Sequence, residues 1–486
     1  MADMLPTHTS ADILIVGSGA AGGLAAIDAA AAGADVLVLE ALSGFGGTAA
    51  TSGGGICVAG SELQRQRSIG DSPDNALEDW LTFGGPEADA DWADLYLRSS
   101  ASQLFDWLTW LGVEWTGVNQ QEGNRVPRWH APKNGGAGLM QAVQNTAMAM
   151  PIRWEFGTRV VDLVQTGGRI TGAVAQDTAG NRTEFRAPVV LLASGGFNNN
   201  PDMVRTHAAT RARGHAVLLG GGQGATGDGH ALLHRLRAEF THMDIIWMYP
   251  YGTPDPSDPE GMRGLVLRGM DSEIWVNQRG ERFHNEALRG GASGATALLA
   301  QDPPRCWSII DAAMASRVTV SDPAYQTHGV GNREAIQRLL DTSPYIARGG
   351  TIADLGMAAD VNPAVLAATI ADHNALLASG VAVDPVFGRP LARLEPIQTA
   401  PFYAIQFLPL ARKNFGGVRT DLECRVLRED GSVIEGLLAA GELAGMAGGH
   451  INGRAGLEGT MLGPSLFSGR VAASTMLGAT HVPNPV

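Results

Sequence analysis

The chain has 486 residues and a formal charge of −14, which arises from 35 lysines and arginines against 49 aspartates and glutamates. A chain of this length buries a large core divided over two or more lobes, and its acidic balance argues against nucleic acid as a partner. The cysteines, Cys57, Cys306 and Cys424, are too widely spaced for a metal-binding pattern or a disulfide framework. We therefore expect no metal site and a reducing, cytoplasmic location.

The amino terminus and the first apolar stretch bear on membrane insertion. Residues 1–12 lack the basic region followed by an apolar region that is typical of a signal peptide. The apolar stretch 13–39 is interrupted by Asp28, Asp35 and several glycines, unlike a membrane-spanning helix. We expect no membrane insertion.

Residues 12–40 carry the pattern of a β-α-β unit. The apolar run 13–16 has the length and β-branched composition of a buried strand, and the alanine-rich segment 24–32 has high helix propensity. A second apolar run, 36–39, ends on Glu40, about twenty residues beyond the glycines of the first turn. This order of elements predicts a dinucleotide-binding unit.

The first turn contains Gly17, Gly19 and Gly22 in the spacing G-x-G-x-x-G. Gly17 allows the tight turn, Gly19 lets the backbone approach a pyrophosphate, and Gly22 lets helix and strand pack closely. The N–H groups at the start of the helix favour the phosphates. Glu40 can accept hydrogen bonds from the ribose hydroxyls.

A glycine-rich stretch, 44–55, follows this unit. We expect no regular element there, and we interpret the stretch as a loop against the cofactor that offers backbone N–H groups and hydroxyls. A flexible linker is the alternative, but linkers seldom follow a buried strand inside one lobe.

The next part of the chain predicts helices and then a small sheet. Residues 74–115 and 139–148 have apolar residues spaced for helices. The segments 154–164, 170–176 and 183–186 alternate as strands, and we expect them to form a small antiparallel sheet.

A second strand-to-glycine turn follows. The apolar run 189–192 predicts a strand that ends in the turn 193–197, which we expect beside the first turn, at the carboxyl ends of the sheet. A helix begins near Asp228, and this residue is explained equally by capping the helix and by binding the cofactor.

The composition changes over residues 240–395. Proline, tyrosine, tryptophan and methionine become frequent there, which predicts an inserted lobe. After residue 395 the pattern of strands and glycine-rich turns seen before residue 240 returns. It comprises a strand that ends in Gly441 and Glu442, a glycine-dense loop over 445–463 and a helix over 464–476.

Several motifs together resemble the FAD-dependent fumarate reductase/succinate dehydrogenase flavoprotein superfamily, and the 3-ketosteroid dehydrogenase-like branch is the nearest group. They are the β-α-β unit, GGTAATSGGG, LLASGGF, ATGDG, IWVNQRGERFHNE and GLLAAGELAG. The resemblance implies an α/β fold with a Rossmann-type, GR2-like FAD-binding domain, in which a parallel sheet is joined by a small antiparallel sheet. It also implies an inserted α+β capping or substrate domain. We expect boundaries of 1–240 and 396–486 for the two parts of the FAD-binding domain and 241–395 for the capping domain.

The resemblance also implies the cofactor. Branches with covalent flavin carry a histidine in the loop after the first unit, and the segment 47–50 has none, so the implied FAD is noncovalent. The residues that match the family's FAD contacts are Gly17, Gly19, Ala20, Ala21, Gly22, Glu40, Ala41, Gly47, Thr48, Ser52, Gly53, Gly54, Val160, Ala193, Ser194, Gly195, Asp228, Gly441, Glu442, Ser465 and Leu466.

The implied reaction is a dehydrogenation or reduction at a CH–CH bond beside a carbonyl. In the α,β-dehydrogenation of a ketone, flavin N5 takes a hydride from the β carbon while a base takes the α proton. The implied substrate is a small carbonyl compound, such as a steroid-like or cyclic ketone, and the electron acceptor or donor stays open. Fumarate reductase-type reduction of an unsaturated carboxylate or enone is the alternative, although those enzymes carry a histidine where this chain has residues 412–415. A non-catalytic flavin-binding protein is a second alternative.

Five residues are candidates for the catalytic chemistry. Ketosteroid dehydrogenases use tyrosines that this chain lacks at the matching places, 287–299 and 445–463, so Tyr249 and Tyr251 are considered instead. Each of these two either faces the flavin or packs in a core. The remaining candidates lie in the glycine-dense loop that we expect to reach the ring, and Arg454 among them is explained equally by substrate binding and by a salt bridge. They are His450, Asn452 and Arg454.

Overall fold

A computed structural model describes residues 9–212, 215–327 and 330–479 of the protein. The chain forms two compact units, and each is described by itself. The first unit comprises Met1–Met203, Gly221–Ile246 and Lys413–Val486, and the second comprises Val204–Gly220 and Trp247–Arg412. The domain boundaries expected from the sequence stay a prediction.

The described residues form strands and helices throughout. The strands are β1 (Thr9–Ser10), β2 (Ile13–Val16), β3 (Val36–Glu40), β4 (Ile56–Cys57), β5 (Trp115–Asn119), β6 (Trp129–Pro132), β7 (Ile152–Phe156), β8 (Arg159–Thr166), β9 (Arg169–Gln176), β10 (Arg182–Arg186), β11 (Val189–Leu192), β12 (Leu218–Leu219), β13 (Phe240–Thr241), β14 (Ile246–Pro254), β15 (Gly264–Arg268), β16 (Ile274–Val276), β17 (Cys306–Ile310), β18 (Thr319–Val320), β19 (Gln326–Thr327), β20 (Val330–Gly331), β21 (Ile346–Gly349), β22 (Phe402–Asn414), β23 (Gly417–Val418), β24 (Arg425–Leu427) and β25 (Val433–Ala439). The α-helices are α1 (Ala20–Ala31), α2 (Gly47–Ala50), α3 (Glu62–Gln66), α4 (Pro73–Gly84), α5 (Ala90–Ser99), α6 (Trp107–Trp110), α7 (Gly135–Met148), α8 (Pro201–Ala212), α9 (Asp228–Arg235), α10 (Ser293–Leu299), α11 (Ala312–Ala315), α12 (Arg333–Thr342), α13 (Ile352–Ala358), α14 (Pro363–Ala378) and α15 (Leu462–Met476). A π-helical segment, Ser100–Asp106, joins α5 to α6, and short 3-10 turns lie at Pro323–Tyr325 and Glu442–Ala444.

The first unit is built on a six-stranded sheet in the order β24-β25-β11-β2-β3-β7. All neighbours in it pair in parallel except β24, which pairs antiparallel with β25 at one edge. Strands β2, β3 and β11 are strongly apolar because both faces of a parallel sheet are covered. The predicted Rossmann-type α/β fold is confirmed.

A second sheet of the first unit has the order β1-β10-β9-β8. Its long pairings are antiparallel, and Ile170, Ala173 and Phe185 bury their side chains in the same core as Leu14 and Val190. The prediction of a small antiparallel sheet is therefore correct for residues 159–186.

The prediction was wrong for residues 154–156, which it placed in that small sheet. These residues belong to β7, which pairs in parallel with β3 through Trp154 and Val38. Gly157, at φ +65°, turns the chain between β7 and β8. A continuous alternating pattern hid this turn, because a single glycine redirects the chain without changing the polarity of its neighbours.

Two further local expectations need correction. The stretch 44–55 is not wholly irregular, because Gly47–Ala50 forms the short helix α2. The helical stretch expected over 74–115 is divided into α4, α5, the π-helical segment and α6, and it ends at Trp110. Trp115 begins β5, which pairs antiparallel with β6.

The second unit is built on an eight-stranded sheet with the path β16-β17-β22-β14-β15-β18, and β12 and β21 also pair with β22. Its core contains Trp275, Ile309, Ile405 and Phe407, which are fully buried. No helix within the described ranges is both long and apolar enough to cross a bilayer.

Candidate functional site

The turn after β2 packs tightly against neighbouring backbone at two of its glycines and borders open space at a third. Gly17 has φ +104°, and a Cβ there would lie 2.5 Å from the carbonyl oxygen of Ala193. A Cβ on Gly22 would overlap the carbonyl oxygen of Gly17. A Cβ on Gly19 would meet no heavy atom within 4 Å, so there is open space beside this residue. A ligand can therefore approach the backbone at Gly19.

Helix α1 begins at this opening. Gly19 is its N-cap, and no side chain caps the first turn. The first N–H groups of a helix have no intrahelical partner, and they attract anions such as phosphate. This end of α1 has the chemistry that a pyrophosphate requires.

Glu40 ends β3 next to the same turn, and it is 8% exposed. Its Oε2 accepts hydrogen bonds from the N–H and the hydroxyl of Ser18, both at 2.8 Å, and its Oε1 accepts one from the N–H of Leu42 at 2.8 Å. These bonds fix the carboxylate against the turn. A carboxylate has about four acceptor positions, so a ribose hydroxyl can still bind. Ala41 follows directly in the chain, and both residues stay predicted contacts.

The glycine-rich segment lies against the same opening. A Cβ on Gly47 would lie 3.5 Å from the Cα of Gly19, so the two backbones are neighbours. Ser52 donates to the carbonyl oxygen of Ala49 at 2.7 Å and accepts from the N–H of Gly54 at 3.1 Å, which fixes the turn after α2. The remaining predicted contacts of this segment, Thr48 and Gly53, lie within it.

The end of β11 borders the first turn, because β11 pairs with β2. Ala193 contributes the carbonyl oxygen that closes Gly17. The hydroxyl of Ser194 is buried and has no partner in the protein. A buried hydroxyl without a hydrogen-bond partner costs free energy of folding. Ser194 and the neighbouring Gly195 therefore suit a site that binds a polar ligand.

Val160 and Asp228 lie together at another part of the first unit. Val160 is buried in β8, and Asp228 is the first residue of α9. The carboxylate of Asp228 forms an ion pair with Arg159, which precedes Val160 in the chain. Gly227, not Asp228, is the N-cap of α9, and no side chain caps this helix, so the explanation of Asp228 as a helix cap is wrong. Its contact with the cofactor stays a prediction.

The predicted FAD contacts from the carboxyl-terminal part of the chain lie around Ala21 of α1. A Cβ on Gly441 would lie 3.1 Å from the Cβ of Ala21 and 4.0 Å from that of Ser465, so the structure brings these three residues together. Ala20 and Leu466 adjoin them in the chain. Ser465 donates to the carbonyl oxygen of Met461 at 2.7 Å, and no side chain caps the start of α15.

Two asparagines that the sequence analysis did not predict hold Glu442. The Oε1 of Glu442 accepts from the backbone N–H of Asn414 at 3.1 Å and from the side-chain amide of Asn198 at 3.2 Å. The side-chain oxygen of Asn198 is buried and has no partner in the protein. Asparagine is a common residue in loops. For Asn198, only its position directly after the strand-to-glycine turn 193–197 could have indicated a role.

The catalytic candidates of the first unit differ in burial. His450 is half-buried, its Nδ1 lies 3.1 Å from the hydroxyl of Thr241, and burial lowers its pKa below the usual value. Asn452 is fully buried, donates to the carbonyl oxygen of Thr460 at 3.0 Å, and has a side-chain oxygen without a partner. Arg454 is 72% exposed and pairs with Glu87.

The two tyrosine candidates lie on β14. Their rings stack with centroids 5.0 Å apart and planes 15° apart. Tyr249 is 8% exposed, and Tyr251 packs against the core of the second unit. Their packing matches the interpretation of these tyrosines as core residues, and their catalytic role stays a prediction.

The first unit as a whole fits FAD. The open space at Gly19 and the starts of α1 and α15, which no side chain caps, suit a ligand with negative charge. The unpartnered oxygens of Ser194 and Asn198 suit polar groups of such a ligand, and the oxygen of Asn198 requires a donor. Across the described residues, no group of three His, Cys, Asp or Glu side chains is placed to hold a metal ion.

Comparison with known proteins gives one family and several similar chains. Residues 12–462 match the family described as FAD binding domain. A vinyl phenol reductase of Lactiplantibacillus plantarum is 31% identical, over 98% of each chain. The open conformation of a flavocytochrome c3 fumarate reductase has a TM-score of 0.76 at 26% identity, over 97% of this chain and 78% of the other. The 3-ketosteroid-Δ4-(5α)-dehydrogenase from Rhodococcus jostii RHA1, in complex with 4-androstene-3,17-dione, has a TM-score of 0.70 at 27% identity, over 98% of both chains.

Proposed function

This chain belongs to the FAD binding domain family, and from that premise we propose that it dehydrogenates a ketone at the carbon–carbon bond beside the carbonyl group. The protein is an FAD-dependent oxidoreductase related to fumarate reductases and ketosteroid dehydrogenases. Bound FAD supplies hydride transfer at its N5 atom. The substrate, the direction and noncovalent binding of FAD belong to the proposal.

The residues of the first unit bind and orient the cofactor in this proposal. Gly19 and the start of α1 receive the pyrophosphate, and Glu40 receives the ribose. Glu442, held by Asn198 and Asn414, offers fixed polar groups to the remainder of the molecule. The N–H groups at the start of α15 stabilise negative charge, which favours the reduced cofactor.

His450 is the preferred group for moving the α proton. Burial lowers its pKa, so its imidazole is neutral at neutral pH and able to accept a proton. Thr241 contacts Nδ1 and fixes the orientation of the ring. Arg454, from the same loop, is proposed to bind the carbonyl oxygen of the substrate. Asn452 is kept as a candidate whose unpartnered side-chain oxygen accepts a hydrogen bond. Tyr249 and Tyr251 are retained as alternative groups for this proton transfer.

A single observation carries the choice of a ketone. The similarity to a dehydrogenase that holds a steroid ketone extends over 98% of both chains. The second candidate is reduction of an unsaturated compound, and the similarity to a vinyl phenol reductase at 31% identity favours it.

Two anaerobic titrations of the purified holoprotein test the proposal. Oxidised enzyme is mixed with saturated and partly saturated cyclic ketones, including 4-androstene-3,17-dione, and the visible flavin band is recorded. We expect at least one of these ketones to bleach the band, whereas a matched ketone without hydrogens on its β carbon should not. Separately, chemically reduced enzyme is mixed with enones, unsaturated carboxylates and 4-vinylphenol.

The two titrations separate the candidate functions. Bleaching by ketones supports dehydrogenation. Reoxidation by an unsaturated compound, without bleaching by any ketone, would establish the reductase instead. A flavin that responds to neither set of compounds would favour the non-catalytic alternative.

A further inference from the structure

A buried ion pair joins the two helices that begin at the cofactor site. Arg470 of α15 is 1% exposed and Asp28 of α1 is 6% exposed. The guanidinium donates from Nε to Oδ2 of Asp28 at 2.7 Å, and Nη2 lies 3.4 Å from Oδ1. Burial raises the pKa of Asp28 to about 6, so the carboxylate is mostly ionised at neutral pH. The fork of the arginine therefore meets both oxygens of one fixed carboxylate.

The same guanidinium reaches a third element. Its Nη1 donates to the carbonyl oxygen of Gln103 in the π-helical segment Ser100–Asp106. Its Cζ lies 4.4 Å from the centre of the Trp107 ring. A π-helical turn is rare and presents its carbonyl groups differently from an α-helix. One side chain thus joins α1, α15 and the π-helical segment.

The two helices also touch at the backbone, immediately beside the ion pair. A Cβ on Gly469, the residue before Arg470, would overlap the carbonyl oxygen of Ala21. Ala21 is in turn the neighbour of Gly441 and Ser465. Ser465 lies on α15, and the N–H of Gly441 donates to the hydroxyl of Ser468 on the same helix at 3.0 Å. A slide of α15 along α1 therefore moves Ser465, and Gly441 with it, relative to Gly19.

We propose that Arg470 and Asp28 are positioning residues, which fix the register of α15 on α1 and thereby the geometry in which both ends of FAD are bound. A role in stability alone explains the pair less well, because replacing a buried ion pair by apolar residues is often neutral or stabilising. An arginine that donates to both oxygens of one carboxylate adds geometric specificity to the contact between the two helices. The proposal rests on FAD as the cofactor and not on the substrate or the direction of the reaction.

The test compares three variants with wild type. Asp28→Leu/Arg470→Met removes both charges and keeps apolar bulk. Arg470→Lys keeps a positive charge but loses the fork that binds Asp28 and Gln103 together. The matched control is Arg153→Met, which removes an Arg–Asp pair of the same unit, between Arg153 and Asp35 at 2.8 Å, whose side chains are 41% and 52% exposed.

Three quantities are measured for each variant: the dissociation constant of FAD from the fluorescence of released flavin, the flavin midpoint potential, and the melting temperature of the apoprotein. We expect the double variant to bind oxidised FAD about tenfold more weakly, at an apoprotein melting temperature near that of wild type. A change of about tenfold in the ratio of the affinities for oxidised and reduced FAD would shift the potential by about 30 mV for a two-electron couple. The control should match wild type in all three quantities.

Arg470→Lys keeps the proposal testable if the double variant does not fold. We expect it to fold and to have an affinity between those of wild type and the double variant. The proposal is overturned if either folded variant keeps the affinity within about twofold of wild type and an unchanged potential. A fall in melting temperature with both cofactor quantities unchanged would assign the pair to stability alone.

Discussion

The cofactor turn of the first unit and the buried charge cluster of the second unit are organised in opposite ways. In the turn, backbone atoms fix the geometry: Gly22 closes against Gly17, five residues earlier. In the cluster, side chains fix it: fully buried Glu286 accepts from Arg282 at 2.7 Å and from Arg389, about a hundred residues later, at 2.9 Å. Sites that are fixed by backbone leave a local pattern in the sequence, and sites that are fixed by distant side chains do not.

Electrostatics shows the same contrast. Burial raises the pKa of Glu286, but hydrogen bonds from Arg282 and the charge of Arg389 hold it below the ordinary value. The cluster depends on its charges being paired. The cofactor turn depends instead on having no side chain at Gly17 and Gly22, and it leaves open space beside Gly19. Substitutions should therefore affect the two regions through different mechanisms.

The largest effects are expected at two glycines of the turn. Gly22→Ala should abolish folding, because its Cβ would overlap backbone that cannot move. Gly19→Val should fold, because φ −72° and ψ −162° suit any residue and a Cβ there meets no heavy atom within 4 Å. Its side chain would, however, fill the space in which we propose that the pyrophosphate binds. We expect the purified Gly19→Val protein to hold less than about a tenth of the wild-type flavin. Absorbance at the visible flavin band and far-UV circular dichroism measure the two outcomes.

The two glycine variants test whether the turn has separate structural and binding positions. A Gly19→Val protein that stays fully yellow would contradict the assignment of the pyrophosphate to this turn. A Gly22→Ala protein that folds normally would contradict the close contact at Gly17.

In the second unit, Glu286→Gln is the substitution that disrupts the charge cluster, as the glycine substitutions disrupt the turn of the first unit. It leaves Arg282 and Arg389 buried without their shared carboxylate, and breaking a buried ion pair from one side costs about 3–5 kcal/mol. Urea unfolding followed by circular dichroism should show this loss in the free energy of unfolding. Glu281→Gln is the matched control, because it breaks an exposed pair with Arg279, and we expect no measurable change. Equal stability of both variants would show that the cluster does not depend on paired charge.

The contrast also explains which features could be predicted from the sequence. The strands Ile13–Val16 and Val189–Leu192 have the predicted bounds, because continuous apolar runs with glycine turns are local signals. The family, the enzyme class and FAD as the cofactor are likewise confirmed, since they rest on the same motifs. The cytoplasmic location and the individual contacts stay predictions.

Features that depend on distant partners were missed. Residues 154–156 look like any strand, and only pairing with β3 assigns them to the parallel sheet. Asn198 and Asn414 meet at Glu442 although 216 residues separate them, and neither belongs to a recognisable motif. The pairing of Arg470 with Asp28 spans 442 residues and could not be inferred from one sequence.

A smaller, pH-dependent effect is expected from one buried histidine in each unit. Burial lowers the pKa of both His130 and His373 to about 4. Because the folded pKa lies below the unfolded value, their contribution is complete above about pH 6.5 and is lost as the pH falls towards 4. Between pH 7 and pH 4.5, each histidine should remove roughly 2 kcal/mol from the free energy of unfolding.

Glutamine variants separate these two contributions. His130→Gln can keep hydrogen bonds to Ser61 and to the carbonyl oxygen of Arg128, which the imidazole contacts at 2.6 and 2.8 Å. We expect His130→Gln and His373→Gln each to lose less stability than wild type on acidification, in urea titrations at a series of pH values. A pH profile parallel to that of wild type would show that the histidine concerned is not a buried neutral group.

The smallest effect on the fold is expected at Arg454. Substrate binding and a salt bridge explain this residue equally well. Arg454 lies in the glycine-dense loop of the first unit, yet its side chain is exposed and has one ion-pair partner, Glu87. Arg454→Ala should therefore leave the melting temperature and the bound FAD unchanged. If Arg454 binds the carbonyl oxygen of the substrate, turnover should fall at least about tenfold, which is about 1.4 kcal/mol of transition-state stabilisation.

Glu87→Gln distinguishes the two explanations of Arg454, because it breaks the same ion pair and keeps the arginine. If the arginine serves the substrate, turnover should fall in Arg454→Ala and not in Glu87→Gln. If the arginine serves only the ion pair, both variants should change turnover to the same small extent. Steady-state rates with a dye acceptor measure this difference, and undiminished turnover in Arg454→Ala would remove this residue from the proposed site.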